Sequence, residues 1–217
     1  MIDDNRVSTF LLSLEDDEVS YLREIEIEAQ KMQVPIIKKG TQSLLKVLLQ
    51  IKNPRNILEI GTAVGFSALL MSEYSPGANI TTIENYKKRI PIARENFAKA
   101  KKEECISLIE GDALDVLKGL KESYDFIFVD AAKAQYIYYL EELIRLANKD
   151  CVIITDNVLQ EGDVLESHYA VKRRDRTIHK RMREYLYEIK HNNKLMTSIV
   201  PVGDGVAISY VKGECDE

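Results

Sequence analysis

Asp130, Lys133, Asp156 and Asn157 are the residues of this chain whose types and spacing best suit chemistry. Asp130 closes the apolar run Asp125-Phe126-Ile127-Phe128-Val129-Asp130, and Asp156-Asn157 close a second, Cys151-Val152-Ile153-Ile154-Thr155. Both runs read as buried strands. The carboxyl ends of strands line the ligand crevice of an open α/β sheet, so the three side chains can converge across 26 residues of sequence. A donor set of oxygens without His or Cys selects a hard cation, Mg²⁺, Mn²⁺ or Ca²⁺, and leaves positions for water and substrate. The competing explanation is that Asp130 and Asp156 only cap the helix or loop that follows, a common use of Asp after a strand. Lys133 stands three residues beyond Asp130 at the same mouth. A lysine among other positive charges becomes a usable base near neutrality, whereas an isolated one is an ordinary solvated side chain.

A second constellation lies upstream. Ile57-Leu58-Glu59-Ile60-Gly61-Thr62-Ala63-Val64-Gly65-Phe66-Ser67 reads as a strand, a glycine turn and a helix start, whose free N–H groups suit a ligand. The spacing is Gly-x-x-x-Gly. A dinucleotide turn needs its second glycine where Ala63 stands, so a smaller nucleoside such as S-adenosylmethionine fits better than NAD. Tight strand-to-helix packing is the plainer use of such glycines. Glu84 ends the next strand, Ile80-Thr81-Thr82-Ile83-Glu84, 19 residues after Gly65, where a doubly wound sheet holds a ribose diol. A third strand ends in Gly111-Asp112-Ala113, which could bracket an adenine. Taken alone, Asp112 is better explained as the cap of a helix from Ala113 to Leu120, but the three motifs in series favour a cofactor cradle.

These residues need a sheet to hold them. Segments at 56–60, 80–84, 106–109, 125–129 and 151–155 are strand-like and alternate with helical stretches, which predicts a parallel sheet covered on both faces. The end differs: Met196 to Val202, Gly203-Asp204-Gly205 and Val206 to Val211 read as a hairpin, so an antiparallel pair should finish the sheet. The first 50 residues read as helical, with Glu15 to Met32 a charged amphipathic stretch and Thr41 the capping hydroxyl of a helix through Ser43 to Leu49. The expected organisation is one domain over 1–217, in which 1–52 is a helical cap or dimer region and 53–217 the catalytic core. A chain of 217 residues, 45% hydrophobic and 30% charged, can bury such a core. Its apolar runs fall far short of the ~18 residues of a membrane span. Met1-Ile2-Asp3-Asp4 lacks the basic and apolar regions of a secretory signal. Cys105, Cys151 and Cys215 show no metal spacing and leave an odd thiol, so a reducing, cytoplasmic setting is expected.

Together, Glu59-Ile60-Gly61-Thr62-Ala63-Val64-Gly65-Phe66-Ser67, Phe128-Val129-Asp130-Ala131-Ala132-Lys133 and Asp156-Asn157-Val158 resemble the cation-dependent class I S-adenosylmethionine O-methyltransferases of the catechol and caffeoyl-CoA type. The resemblance runs from about residue 30 to the C-terminus. It implies a Rossmann-like α/β fold, a mostly parallel seven-stranded sheet with a C-terminal antiparallel hairpin and N-terminal helices. It also implies Asp130, Asp156 and Asn157 as ligands of Mg²⁺ or Mn²⁺, with Lys133 as base and Asp130 beside it in the catalytic pair. S-adenosylmethionine would be held by Glu59, Gly61, Ser67, Glu84, Asp112 and Ala113, by Asp130 at its amino group, and by Ile37 closing over it. The acceptor hydroxyl would be acidified by the cation, lose its proton to Lys133 and attack the methyl in line with sulfur.

The run Lys172-Arg173-Arg174-Asp175-Arg176-Thr177-Ile178-His179-Lys180-Arg181-Met182-Arg183 sets this chain apart. Seven basic residues against one acid give it net +6 within a chain of net −5, so the remainder carries −11. Such a run is usually a solvated helix face. Following Asn157 by 15 residues, however, it should flank the pocket, and Lys172, Arg173, Arg174, Arg176 and Arg181 near Tyr169, Tyr185 and Tyr187 suit a phosphate backbone and unstacked bases. A CoA ester would satisfy the same charges, and the chain has no tryptophan to wall a flat catechol. Val34-Pro35-Ile36-Ile37, Asp156-Asn157-Val158-Leu159-Gln160-Glu161-Gly162 and the basic run also resemble the bacterial tRNA 5-hydroxyuridine methyltransferases. That implies methylation of 5-hydroxyuridine at the wobble position to 5-methoxyuridine, with the tRNA anticodon loop as partner. The 5-hydroxyl and 4-carbonyl oxygens are adjacent, so one cation can hold both, and a loop base is splayed out at modest cost. A small-molecule catechol or caffeoyl-CoA-like O-methyltransferase is the first alternative, and a non-catalytic nucleotide-binding module the second. No membrane partner is expected, and the amphipathic N-terminal helices suggest a homodimer.

Overall fold

A computed structural model of the protein describes residues 4–15 and 18–213. Met1 to Asp3 of the N-terminal segment and Cys215 lie outside the described residues.

The N-terminal third is helical, with α1 Asp4–Leu12, α2 Ser20–Lys31 and α3 Lys39–Lys52. Strands and helices then alternate: β1 Asn56–Ile60, α4 Phe66–Tyr74, β2 Asn79–Glu84, α5 Ile90–Lys99, β3 Ile106–Glu110, α6 Ala113–Gly119, β4 Tyr124–Val129, α7 Tyr136–Leu146 and β5 Ala147–Thr155. Helix α8 Arg176–His191 and the hairpin strands β6 Leu195–Val200 and β7 Val206–Val211 follow. All seven strands join one sheet in the order β3-β2-β1-β4-β5-β7-β6. The first five are parallel, and β7 runs antiparallel to both β5 and β6, so the hairpin inserts its second strand against β5. Because β2 lies on one side of β1 and β4 on the other, the strand order reverses there and opens a crevice at the carboxyl ends.

Successive strand residues face opposite sides, and both sides are buried. Ile57, Phe126, Phe128 and Ile154 pack under α2 to α5 with Leu22, Leu45, Leu49 and Phe66, while Leu58, Ile60, Ile127, Val129 and Ile153 pack under α6 to α8 with Leu143, Met182 and Ile189. This is why those strands read as continuous apolar runs.

Several boundaries differ from the sequence expectation, by one or two residues at β3, α6 and the hairpin and more informatively at β5, α2 and α3. Strand β5 starts at Ala147, because Ala147 pairs with Tyr124 before the register shifts to Phe126 with Val152. The intervening Asn148-Lys149-Asp150 lacks apolar side chains, since Asn148 Nδ2 instead donates to Asp125 Oδ1 at 2.9 Å. Helix α2 starts at Ser20 and not at Glu15. Helix α3 starts at Lys39, with Lys38 in the capping position and no side-chain cap, so Thr41 lies inside the first turn and its hydroxyl is free for another task. Among the described residues, no helix is long and apolar enough to cross a membrane.

Candidate active site

Strand register brings the two acidic ends together. Ile60 pairs with Val129 and Val129 with Thr155, and the ladder continues one residue further: Asp130 N donates to Ile60 O and Asp156 N to Val129 O, both at 3.0 Å. Asp130 and Asp156 therefore leave adjacent strands at the same level, roughly 5 Å apart along the hydrogen-bonding direction. Gly61 makes room for this. At φ 102° it passes so close to β4 that a Cβ would sit 2.0 Å from the Asp130 carbonyl oxygen. Ala63, at φ 48°, donates its N–H to Glu84 Oε2 at 2.8 Å, and Glu84 Oε1 accepts from Asn85 N and Tyr86 N, both at 2.9 Å. The Glu84 carboxylate thus ties the glycine turn to the end of β2.

These ends open into one cavity of about 630 Å³. Of the residues expected at a site, it is lined by Ile37, Gly61, Glu84, Ala113, Asp130, Lys133 and Asn157. Ser67 lines a small adjoining recess with Gly61 and Asp130. Glu59 reaches neither space. It is fully buried beneath the turn, where Thr82 Oγ1 donates to it at 2.5 Å and Thr62 Oγ1 bonds Thr82 in turn at 2.6 Å. Burial, offset in part by the Ser67 and Thr82 hydroxyls, pushes its carboxyl up to about 7. Asp112 caps α6, with Oδ1 accepting from Leu114 N at 3.0 Å, while its neighbours Gly111 and Ala113 line the cavity.

The two carboxylates at the strand ends are poorly compensated. Burial pushes Asp130 up to about 6 against the pull of the Lys133 ammonium. Asp156, 1% exposed and outside the cavity lining, is pushed up to about 7 by burial and by the Asp130 and Asp204 charges, although Asn157 N (2.9 Å) and Thr41 Oγ1 (3.4 Å) donate to its Oδ1. Asp130 caps nothing: the 3₁₀ turn Lys133–Gln135 begins after Ala132 without a side-chain cap. A half-buried and a buried carboxylate that repel each other, beside an amide, form an oxygen-only donor set that suits a hard divalent cation.

Sequence reasoning missed several of the walls. Lys38 and Asp204 both line the cavity and pair at 2.6 Å, although they are 166 residues apart in sequence and no local signal joins them. Arg89 stacks over Tyr86, 5.2 Å from the ring centroid, just past Glu84, where position after the strand was the available clue. Glu161 lines the mouth from a left-handed backbone at φ 55°. Thr41 was read as a cap.

The basic run does not line the cavity among the described residues. Arg176 Nε donates to Val171 O at 3.2 Å, Arg181 Nη1 to Ala134 O at 3.3 Å and Arg183 Nη1 to Val164 O at 2.9 Å. Arg181 also sits over the Tyr138 ring at 5.0 Å. Lys172, Arg173 and Arg174 stay exposed.

Comparison with known proteins agrees with this geometry. The family model described as O-methyltransferase matches residues 6–212. The catechol O-methyltransferase of Niastella koreensis is 31% identical over 163 residues, covering 73% of each chain. The tapetum-specific methyltransferase 1 of Arabidopsis thaliana is 29% identical over 204 residues, 87% of this chain and 88% of its own. Among solved structures, the O-methyltransferase from Bacillus cereus in complex with SAH superposes with a TM-score of 0.84 at 28% identity, covering 95% of this chain and 97% of that one. With a matching fold along almost its whole length, the chain belongs to the O-methyltransferase family.

Proposed function

We propose that this protein transfers the methyl group of S-adenosylmethionine to a hydroxyl of an acceptor that carries a second oxygen beside it, of the catechol or caffeoyl type. The carrying observation is the single cavity that joins the glycine turn and Glu84 at one end to Asp130, Lys133 and Asn157 at the other. The names of catechol and caffeoyl-CoA relatives support the same acceptor class.

Gly61, Glu84 and Ala113 would hold the nucleoside, Asp130 its amino group, and Ile37 would cover it. Gln42 Nε2 donates to Ile37 O at 2.9 Å and so keeps that cover down. S-adenosylmethionine, when bound, supplies the electrophilic methyl. Asp130, Asp156 and Asn157 would hold a divalent cation, whose positive charge lowers the cost of ionising the acceptor hydroxyl. Lys133 Nζ takes the hydroxyl proton. Pro35, Ile36 and Ile37 roof the cavity and exclude water, and the walls hold acceptor and donor in line, so positioning and charge stabilisation carry the rate.

A second reading, methylation of tRNA 5-hydroxyuridine, is supported by the exposed Lys172, Arg173 and Arg174, since an acceptor with the same adjacent oxygens would arrive on a phosphate backbone. Methyl transfer to catechol, caffeoyl-CoA and hypomodified tRNA, each with Mg²⁺ or EDTA and followed by mass spectrometry, decides between them. Transfer to catechol or caffeoyl-CoA that stops in EDTA supports the first reading, transfer confined to tRNA supports the second, and cation-independent transfer rejects the oxygen-ligand site. The exposed Phe10, Leu11, Leu12 and Leu14 at the N-terminus support a homodimer, which light scattering tests.

A further inference from the structure

Tyr136, the first residue of α7, does not line the cavity, yet it touches both turns that carry the acidic ends. Its side chain is 1% exposed. The phenol oxygen accepts from Ala131 N at 3.3 Å and lies 3.3 Å from two carbonyl oxygens, those of Ala131 and Asp156, which share its one proton. One hydroxyl thus bridges the residue after Asp130 to the backbone of Asp156. The ring is itself held from behind. It packs edge-to-face on Tyr185 with centroids 5.7 Å apart, and Tyr185 OH bonds Thr155 Oγ1 at 2.6 Å, one residue before Asp156. Because Ala131 and Tyr136 are joined in this way, the stretch between them is a closed loop. It contains the 3₁₀ turn of Lys133, cinched by Gln135 N donating to Ala132 O at 2.8 Å.

We propose that Tyr136 is the positioning residue that fixes the separation of Asp130 and Asp156, and so sets the affinity of this site for a divalent cation. The inference rests on the cation reading given above. Two like-charged carboxylates leaving adjacent strands push their turns apart, and beyond the last ladder bonds the Tyr136 hydroxyl is a bridge between those turns. Small hard cations demand a near-fixed ligand geometry, so a loosened pair of turns costs affinity even with every ligand present. Removing such an outer partner typically weakens metal binding about 10–100-fold.

The test uses Mn²⁺ as probe, its binding to the full-length protein followed by electron paramagnetic resonance, with SAH affinity measured in parallel by calorimetry. Tyr136→Phe keeps the ring and its packing and removes only the bridge. Tyr124→Phe removes a buried hydroxyl at the amino end of β4, away from both acid-bearing turns, so it serves as the control for general loosening of the core. The expected result is Mn²⁺ binding weakened about 10–100-fold in Tyr136→Phe, with SAH affinity retained and no comparable loss in Tyr124→Phe. Wild-type Mn²⁺ affinity in Tyr136→Phe overturns the proposal, and so does equal weakening in both variants, which would make the effect one of packing. Wild-type protein that binds no Mn²⁺ overturns the cation reading and this inference with it, an outcome distinct from the other two.

Discussion

The carboxyl ends of β4 and β5 and the stretch 172–183 both concentrate charge, and they use it in opposite ways. At the strand ends, Asp156 is buried and Asp130 half-buried at the cavity wall, with few donors around them, and their carboxyls are pushed up to about 7 and about 6. In the basic stretch, Arg176, Arg181 and Arg183 donate to the carbonyls of Val171, Ala134 and Val164, while Lys172, Arg173 and Arg174 stay exposed. The first region leaves its carboxylates with a desolvation cost; the second commits part of its charge to structure and leaves the rest in solvent. A dense run of charge and a poorly compensated pair of carboxylates are therefore different signals, and only the second carries a desolvation cost that a ligand of opposite charge would lower.

The comparison breaks most sharply at Lys133. Lys133→Ala should lower kcat by roughly 10²–10⁴ while leaving S-adenosylmethionine affinity near wild type, measured by steady-state kinetics and calorimetry. A variant with wild-type kcat would move the base elsewhere.

Next in size is Gly61→Ala. A methyl 2.0 Å from the Asp130 carbonyl, on a backbone at φ 102°, should destabilise the protein by roughly 3 kcal/mol or more in urea unfolding, because neither strand end can move without breaking the ladder. The same change at Gly77, where an added Cβ meets nothing within 4 Å, shares only the φ penalty of 87° and should cost clearly less.

Glu59 sharpens the comparison through pH. Its folded pKa, about 7, lies above the ordinary 4.5, so the folded state binds the proton more tightly than the unfolded state. Stability from this group is fully present below about 4.5, declines as pH rises through that window, and is lost above about 7. Glu59→Gln should remove that slope. Its unfolding free energy relative to wild type, measured in urea, should rise between pH 5 and pH 8, with a limit of about 3 kcal/mol. A difference independent of pH would mean the carboxylate is compensated by its hydroxyl partners.

The smallest effects belong to the basic stretch. Arg181→Ala, which loses a carbonyl bond and a ring contact, should cost about 1 kcal/mol, whereas Lys172→Ala, Arg173→Ala and Arg174→Ala should each stay within about 0.5 kcal/mol. If the exposed three instead changed tRNA affinity and its salt slope, the second functional reading would gain ground.

The register of apolar runs ending in acidic residues was legible because strands buried on both faces have little freedom in composition: Phe126 to Val129 and Val152 to Ile154 had to be apolar, so Asp130 and Asp156 stood out at their ends. The glycine turn was legible too, since Gly61 meets a backbone atom where no side chain fits. Those features are local, dictated by sterics and burial within a few residues. What tertiary structure alone decided is non-local. It withdrew Glu59 beneath the turn, gave Thr41 to Asp156, paired Lys38 with Asp204 across the cavity mouth and set Arg181 and Arg183 against the distant carbonyls of Ala134 and Val164. A side chain's charge and type are written in the sequence, but its desolvation and its partners depend on elements distant in the chain, and these determine whether it becomes chemistry or scaffold.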